Sequence, residues 1–236
     1  MFPYFGGKTR LAPTYPAPVY DTIVEPFAGG AAYAMHWLER RSDLRAIVVE
    51  LDPIVAELWR WLLQPGAAER VEAIPDVKAG ERTSEPLVAL VNNGPTELTT
   101  IRNQGSCAVS PWHEHKWPRQ RTLIAERCRK IAGRVQVIEG DYTDAPDIAA
   151  TWFVDPPYQT QGKRYAQSAE AIDFDKLGEW CKNRTGQTIV TEAEPADWLP
   201  FEPHRRTLNQ TFQIKTELVW YDPEHAPLRL LGGDET

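Results

Sequence analysis

Short apolar runs that stop at an acidic residue recur along the chain. Runs of this length, rich in β-branched residues, predict buried strands near residues 22–25, 46–50, 134–139, 151–154 and 187–191. Helical patterns of apolar residues lie between or after them, at 33–40, 54–63, 119–132 and 173–183. The closing runs, 203–208 and 215–221, predict an antiparallel pair. This alternation predicts an α/β fold with a Rossmann-like, mostly parallel sheet.

The segment 67–133 interrupts the alternation of strands and helices. Five prolines punctuate it, and its clearest helical pattern is the one at 119–132. We therefore predict a core built from residues 1–66 and 134–236. Residues 67–133 are predicted to form a lobe inserted between the second and third core strands.

The composition is that of a soluble globular protein, with 42% hydrophobic and 25% charged residues. No apolar run approaches the ~18–20 residues of a membrane span, and residues 1–8 lack the layout of a secretion signal. The three cysteines are far apart, which fits a reducing compartment and argues against a disulfide framework or a zinc site. We expect a cytoplasmic protein that does not bind membranes.

The strand at 151–154 stops at Asp155-Pro156-Pro157-Tyr158. Pro156 forces Asp155 into an extended conformation, and neither proline can donate a ladder hydrogen bond. Asp155 and Tyr158 should therefore stand in a stiff loop at the carboxyl end of the strand, where open α/β sheets bind ligands. A carboxylate, free backbone carbonyls and a flat ring suit a planar guest that carries an amino group. The alternative is an ordinary surface turn.

Two glycine pairs precede this loop in the chain. Gly6-Gly7 allows close backbone approach to a ligand, with the charge of Lys8 beside it. A phosphate loop is excluded, because its spacing would need a glycine at position 2; a flexible turn is the alternative. The first strand runs into Gly29-Gly30 and then a helix, which is how a Rossmann-like sheet brings backbone amides to a cofactor. Here the alternative is a merely tight turn.

Acidic residues follow two further strands. Glu50 ends the second strand, where a carboxylate can accept both ribose hydroxyls of an adenosine. Asp52 is a candidate cap for the next helix, with Pro53 at its first position. Asp141 follows the third strand and could accept a hydrogen bond from an adenine amino group, with Tyr142 lining the base.

The formal net charge of −7 counts against binding nucleic acid through bulk electrostatics, but not against a local basic surface. Basic residues outnumber acids between 113 and 134, the reverse of the whole chain. Basic side chains mixed with Trp, Asn and Gln could contact phosphates and bases; the alternative is a solvated helix face. The candidate DNA contacts are Arg102, Asn103, Lys116, Arg119 and Arg121. His113 and His115 lack further ligands, so no metal is expected.

In kind and in order, these motifs resemble those of the Dam-type (alpha-group) DNA adenine-N6 methyltransferases, which use S-adenosylmethionine. The resemblance touches most of the chain but rests on short blocks: Phe5-Gly6-Gly7-Lys8, residues 25–30, an acid after the second strand, Asp141-Tyr142 and Asp155–Tyr158. It implies a seven-stranded, largely parallel sheet whose last hairpin is antiparallel. The sequence departs from the family at Ala31, where glycine is usual, and in its shorter lobe.

The resemblance also implies roles for these residues. It implies methyl transfer to the N6 amine of an adenine flipped out of double-stranded DNA. The implied catalytic residues are Asp155, Pro156, Pro157 and Tyr158: Asp155 and the Pro156 carbonyl accept the amino protons, and Tyr158 stacks on the base. The implied cofactor-binding residues are Phe5, Gly6, Gly7, Lys8, Phe27, Gly29, Glu50, Leu51, Asp141 and Tyr142. A role in restriction-modification and one in a phage genome both stay open.

Two other readings stay open. The first is a methyltransferase of another exocyclic amine, such as cytosine N4, RNA adenine or a modified phage base. The second is a non-catalytic nucleic-acid-binding protein with the same fold, whose signature would be a damaged cofactor turn or a missing catalytic acid. The sequence carries neither defect. The polar segment 159–169 is a candidate lid over the substrate.

Overall fold

The computed structural model describes residues 1–4, 6–110, 116–159, 171–208 and 214–226. Phe5, His113, His115 and all of the candidate lid except Gln159 lie outside the described residues. None of the helices that the structure describes is long and apolar enough to cross a membrane.

Strands and helices alternate through most of the described chain. The strands are β1 (Thr22–Glu25), β2 (Arg45–Glu50), β3 (Arg82–Thr83), β4 (Cys107–Ala108), β5 (Val135–Glu139), β6 (Ala150–Val154), β7 (Gly186–Ala193), β8 (Glu202–Leu208) and β9 (Ile214–Tyr221). The α-helices are α1 (Ala32–Leu38), α2 (Pro53–Leu63), α3 (Ala67–Ala73), α4 (Pro86–Asn93), α5 (Thr96–Gln104), α6 (Lys116–Ile131) and α7 (Phe174–Lys182). Short 3-10 segments occupy Ala12–Thr14 and Tyr142–Asp144.

The main sheet has seven strands in the order β5-β2-β1-β6-β7-β9-β8. Neighbouring strands from β5 to β7 are parallel. Strand β9 runs antiparallel to both β7 and β8, so it alone among the seven runs against the rest. The predicted α/β fold, with a mostly parallel seven-stranded sheet and an antiparallel final hairpin, is confirmed.

Both faces of the sheet are covered, as the nearly continuous apolar strands require. All five residues of β6 are buried. One hydrophobic cluster joins α1 and α2 to one face and includes Tyr33, which stacks on Phe153 of β6 with ring centroids 4.5 Å apart. A second cluster covers the other face and includes Leu177 and Cys181 of α7. The sheet is therefore the middle layer of three.

The predicted lobe contains α3 to α6 and the two-stranded β3–β4 ribbon. Many of its buried residues, among them Val71, Leu87 and Ile124, belong to the same hydrophobic cluster as Trp59 of the core helix α2. The Trp117 indole of α6 also donates a hydrogen bond to the Pro75 carbonyl, at 3.1 Å. The division of the chain into core and lobe stays a prediction.

Strand β1 lies between β2 and β6, so the chain reverses its direction of winding at this point. Connections before β6 lead towards β5, and those after it lead towards β8. A crevice forms at such a switch point, outside the carboxyl ends of the two strands. Here those ends are Glu25 on β1 and Val154 on β6, followed by Asp155.

Candidate active site

A cleft opens at the carboxyl ends of the parallel strands. The loops that follow β1, β2, β5 and β6 form its walls. Its lining includes residues 25–32 after β1, 50–52 after β2, Asp141 and Tyr142 after β5, and Asp155 and Pro157 after β6. Phe2, Tyr4, Gly7 and Lys8 close it from the amino-terminal side, and Ala171 and Ile172 from the segment before α7. Blocks that are far apart in sequence thus meet around one space.

The glycine turn after β1 is held from both sides of its backbone. The Glu50 carboxylate accepts a hydrogen bond from the Gly29 amide at 2.8 Å. The indole of Trp59, in α2, donates to the Gly29 carbonyl, also at 2.8 Å. Gly29 has a φ of 45°, and a Cβ there would lie 2.6 Å from the Tyr4 ring. Glycine is therefore required by both the backbone conformation and the close approach of Tyr4.

Ala31, the next residue but one, adopts the left-handed conformation with φ 47° and ψ 60°. It precedes α1 and is almost fully buried. A residue with a Cβ is strained in this region, where glycine is not. Ala31 therefore carries local backbone strain that a glycine would not.

Replacing Ala31 by glycine is expected to stabilise the protein or leave its stability unchanged, in contrast to most Ala→Gly changes. Relief of the left-handed strain gains roughly 1–2 kcal/mol, and the greater freedom of glycine in the unfolded chain offsets about 0.4–1 kcal/mol of that. Urea unfolding measures the difference. Ala34→Gly, in the middle of α1, is the control and should destabilise. A destabilisation at Ala31 as large as at Ala34 would contradict the strain.

Two buried carboxylates, Glu25 and Glu50, stand at the base of the cleft. Glu25 ends β1 and accepts a hydrogen bond from the Ala34 amide at 2.5 Å. Besides Gly29, Glu50 accepts from the Asp52 amide at 2.9 Å. Burial raises the pKa of Glu25 to about 8 and that of Glu50 to about 7, although these backbone hydrogen bonds oppose the shift. Both groups therefore titrate near neutral pH.

These two acids make stability fall as the pH rises. Their folded pKa values exceed the unfolded value of 4.5, so the folded protein binds more protons than the unfolded chain across this window. The stabilisation is complete below pH 4.5 and is lost up to about pH 8. We expect the melting temperature at pH 9 to lie below that at pH 6, by roughly 2–4 °C for each kcal/mol lost. Thermal melts of the wild type and of Glu25→Gln measure it, and an equal drop in both would contradict the assignment.

Asp155 faces the cleft and forms a buried ion pair with Lys8. The Lys8 Nζ lies 2.8 Å from Asp155 Oδ1 and 3.0 Å from Oδ2. Thr191 on β7 donates a further hydrogen bond to Oδ1 at 2.9 Å. Burial alone would lower the pKa of Lys8, but the charges of Asp155 and Glu217 outweigh it and raise that pKa. The lysine is therefore charged and fixes the carboxylate against the cleft wall.

The loop from Asp155 to Gln159 is anchored to β7 and β9 behind it. The Tyr158 hydroxyl donates to Glu217 Oε1 at 2.8 Å, and its ring lies under the Lys8 ammonium at 4.6 Å. Glu192, fully buried at the end of β7, accepts hydrogen bonds from the Gln159 amide and the Trp198 indole at 3.2 and 3.1 Å. Burial raises the pKa of Glu192 to about 7. These contacts give the loop a fixed position.

An aromatic wall forms one side of the cleft. Phe27 and Tyr142 are stacked, with ring centroids 5.5 Å apart and planes inclined by 25°. Trp180 of α7 packs its edge against Tyr142 at 5.2 Å. Asp141 caps the 3-10 segment that carries Tyr142, accepting a hydrogen bond from the Thr143 amide at 3.2 Å. Leu51, 42% exposed, lies at the rim. A flat ring has apolar surface to pack against here.

Most residues that the sequence singles out line this cleft. They are Gly7, Lys8, Phe27, Gly29, Glu50, Leu51, Asp141, Tyr142, Asp155 and Pro157. Gly6, Pro156 and Tyr158 lie outside the lining: Pro156 is buried, Tyr158 faces Lys8 and Glu217, and the Gly6 carbonyl accepts a hydrogen bond from Lys8 at 3.2 Å. Phe5 is outside the described residues.

The candidate DNA contacts are divided between exposed and internally paired residues. Arg102, Asn103 and Arg119 are exposed, and Lys116 is half-buried. Arg121 instead pairs with Asp76 at 2.9 Å and donates to the Ile74 carbonyl at 2.8 Å. Other arginines of the basic stretch are also engaged, since Arg127 pairs with Glu39 and Arg129 with Glu69 and Glu72. Much of the excess positive charge is therefore neutralised within the chain.

Sequence reasoning missed four residues that shape the site. Phe2 and Tyr4 lie over the glycine turn, and Glu217 and Glu192 hold the loop after β6. Glu192 and Glu217 could have been found from the sequence, because burying a glutamate in or directly after an apolar strand costs free energy unless the carboxylate has a partner. The two aromatic residues carried none, since their contacts are made by a segment without regular structure. In the described part of the chain, no group of three or more His, Cys, Asp or Glu side chains could hold a metal ion.

Comparisons with known proteins yield only remote likenesses. No protein-family model and no curated protein sequence matches the chain. Among solved structures it is similar to a point mutant of MtNAS, at 15% identity over 92% of this chain and 58% of that chain, with a TM-score of 0.34. It is also similar to a SAM-dependent methyltransferase from Neisseria gonorrhoeae, at 12% identity over 96% of this chain and 69% of that chain, with a TM-score of 0.37. Likenesses at this level do not assign the chain to a family.

Proposed function

We propose that the protein is an S-adenosylmethionine-dependent methyltransferase that modifies the exocyclic N6 amine of adenine in DNA. The observation that carries the proposal is the position of Asp155. It lies on a loop stiffened by two prolines, in the wall of a cleft that also contains the glycine turn and Glu50. A carboxylate acceptor beside a nucleoside-sized site is what methylation of a base amine requires.

The charge of the cleft suits a cationic cofactor. Five acidic residues line it, Glu25, Glu50, Asp52, Asp141 and Asp155, against the single basic side chain of Lys8, which is already paired with Asp155. S-adenosylmethionine carries a positive sulfonium and a positive ammonium beside one carboxylate. Opposite charges in a partly buried site attract more strongly than in water. The acid-rich lining supports this cofactor over a nucleotide carrying phosphates.

Three regions of the site would hold the cofactor. The stacked Phe27–Tyr142 pair and Leu51 offer an apolar surface to its adenine ring. Glu50 keeps unused lone pairs on both carboxylate oxygens and can accept the ribose hydroxyls. The buried Glu25 lines the cleft near the glycine turn, and its negative charge develops as the pH rises through its pKa of about 8. When bound, S-adenosylmethionine would supply an electrophilic methyl group.

Asp155 would act on the substrate amine rather than on the cofactor. Adenine N6 is a poor nucleophile because its lone pair is conjugated into the ring. A hydrogen bond from the amine to Asp155 would favour a tetrahedral nitrogen with an available lone pair. Holding that nitrogen in line with the methyl group supplies much of the acceleration. The base must first leave the duplex, at a cost of a few kcal/mol.

Transfer of a labelled methyl group tests this function directly. The purified protein is incubated with tritiated S-adenosylmethionine and unmethylated duplex DNA, single-stranded DNA or RNA, and the products are digested to nucleosides. N6-methyl-2′-deoxyadenosine from the DNA supports the proposal. N4-methyl-2′-deoxycytidine, or label in RNA alone, would move the function to another exocyclic amine.

Binding to DNA should depend on salt through Lys116 and Arg119 of the lobe, of which the first is half-buried and the second exposed. Each phosphate contact contributes about −0.9 to the slope of log K against log salt. We expect Lys116→Ala and Arg119→Ala to reduce that slope by about 1 each, as measured by fluorescence anisotropy of a labelled duplex. Arg129→Ala is the matched control, because Arg129 pairs with Glu69 and Glu72. A salt-independent affinity, or equal effects of all three changes, would contradict DNA binding by the basic residues of 113–134. These residues would then form a solvated helix face.

A further inference from the structure

One buried ammonium is shared between two carboxylates behind the cleft. The Lys8 Nζ lies 2.8 Å from Asp155 Oδ1 and 3.6 Å from Glu217 Oε1. The lysine is 6% exposed, and the two acids are 20% and 12% exposed. In the part of the chain that the structure describes, no other basic side chain forms an ion pair with either acid. Two negative groups therefore depend on one cation.

This arrangement leaves Asp155 little capacity to accept a substrate amine. Its Oδ1 accepts hydrogen bonds from both Lys8 and Thr191, and its Oδ2 accepts from Lys8 at 3.0 Å. A carboxylate oxygen has about two lone-pair sites. Oδ1 is therefore fully used and Oδ2 half used. An amine that donates to the remaining site of Oδ2 competes with the lysine for the charge of Asp155 and so weakens their ion pair.

Glu217 stands where the displaced lysine would go. Closing its 3.6 Å separation from Nζ to a hydrogen-bond length of about 2.8–2.9 Å needs less than 1 Å of movement. The lysine stem is flexible enough to make such a shift by rotating its side chain. Glu217 itself cannot follow readily, because it lies on β9, which is paired on both sides. Its Oε1 already accepts the hydroxyls of Tyr15 and Tyr158 at 3.0 and 2.8 Å, so a hydrogen bond from the lysine would use Oε2 or replace one of these hydroxyls.

We infer that Glu217 is a positioning residue that takes over Lys8 when the substrate amine arrives, releasing Asp155 to accept the amine, and that it fixes the Tyr158 ring meanwhile. The inference rests on the proposed function, because it assumes that Asp155 receives an amine. Charge is conserved in the exchange: the substrate N–H groups replace the ammonium at Asp155, and the ammonium stays paired at Glu217. Lys8 is thereby never left alone in a buried site.

Relocation of Lys8 can be tested without any turnover. Asp155→Asn removes the negative charge but keeps the shape, and a crystal structure of this variant should show Nζ within hydrogen-bond distance of Glu217. NMR titration of the Lys8 Cε–Hε signals should show a charged lysine in Asp155→Asn and a lowered pKa in Asp155→Asn/Glu217→Gln, where no carboxylate compensates its burial. An Nζ that keeps its distance from Glu217, or a pKa equal in the two variants, would overturn the inference.

Kinetics of Glu217→Gln provide a second test that does not depend on Asp155 variants. We expect kcat to fall by roughly 10- to 100-fold, the range that a misplacement of about 1 Å can cause, with the cofactor Kd unchanged. Tyr15→Phe is the matched control: it removes one hydrogen bond to the same oxygen but no charge. Glu217→Asp, one methylene shorter, should restore part of the rate.

The outcomes separate the two proposals. A wild-type kcat in Glu217→Gln, or an equal loss in Tyr15→Phe, would overturn the role of Glu217 while methyl transfer by the wild type stands. If the wild type transfers no methyl group to any base, the proposed function fails instead. The position and charge of Lys8 in the two Asp155 variants would then still decide whether Glu217 takes over the lysine.

Discussion

Replacing Asp155 by alanine is expected to abolish methyl transfer while leaving binding of S-adenosylmethionine close to that of the wild type. The carboxylate is the acceptor proposed for the amine, and nothing else in the described lining offers a side-chain acceptor on the loop after β6. Loss of one preorganised group that acts on the reacting atoms typically lowers kcat by about 10²–10³. The cofactor, in contrast, is assigned to Glu50, Leu51 and the Phe27–Tyr142 pair.

Single-turnover transfer of tritium to DNA measures the loss, and calorimetry measures the cofactor Kd. Asp175→Ala is a suitable control, because Asp175 is an exposed acid in the first turn of α7, away from the cleft lining. Turnover retained in Asp155→Ala would remove the central role from this residue. A lost cofactor affinity would instead place Asp155 among the cofactor ligands.

Replacing Gly30 by alanine is expected to destabilise the protein and to weaken cofactor binding together. A Cβ at this position would overlap the carbonyl oxygen of Phe2, which is a backbone atom and cannot rotate away. Forcing extra atoms into a packed site usually costs about 1–3 kcal/mol. Because Gly30 lines the cleft beside Gly29, the same displacement would distort the turn that Glu50 and Trp59 hold.

Urea unfolding and calorimetry with S-adenosylmethionine measure the two effects of Gly30→Ala. Gly80→Ala is the control: that glycine has open space around it and only an unfavourable φ of 79°, which costs an alanine roughly 1–2 kcal/mol. Only Gly30→Ala should change the cofactor Kd. If both variants keep the wild-type affinity, the amino-terminal segment does not support the cofactor turn.

The core of the fold follows from local sequence patterns. Five apolar runs predicted β1, β2, β5, β6 and β7 to within a few residues, because strands buried on both faces must be apolar throughout. The acids and prolines that end those runs marked the carboxyl edge of the sheet. Because parallel strands bring these ends together, the sequence predicted which loops meet around the cleft before their distances were known.

The helices of the lobe did not follow in the same way. Pro86 and Pro95 appear as breaks in the sequence, yet Pro86 is the first residue of α4 and Pro95 immediately precedes α5. Proline is tolerated at the start of a helix, where its missing N–H would have no partner anyway. The sequence therefore indicated one clear helix in this segment, at 119–132, whereas the structure also forms α3, α4 and α5 there.

Contacts between residues that are far apart in the sequence were the second feature that could not be predicted. Asp155 and Lys8 are 147 positions apart, and nothing local to either predicts their ion pair. Likewise, the sequence marked Ala31 only as a departure from the usual glycine, whereas the structure shows left-handed backbone strain at that residue. The excess of arginine at 113–134 was visible, but the acids that pair with Arg121 and Arg129 lie more than forty positions away.

The acid-rich cleft has a consequence for the release of the spent cofactor. S-adenosylhomocysteine, the product that methyl transfer would leave, has a neutral thioether where its precursor has a sulfonium. It therefore gains less from the carboxylate of Glu25, and the difference grows as the pH rises past the pKa of Glu25, about 8. We expect product inhibition to be weak and to weaken further in alkaline solution, so that turnover can continue while the spent cofactor accumulates.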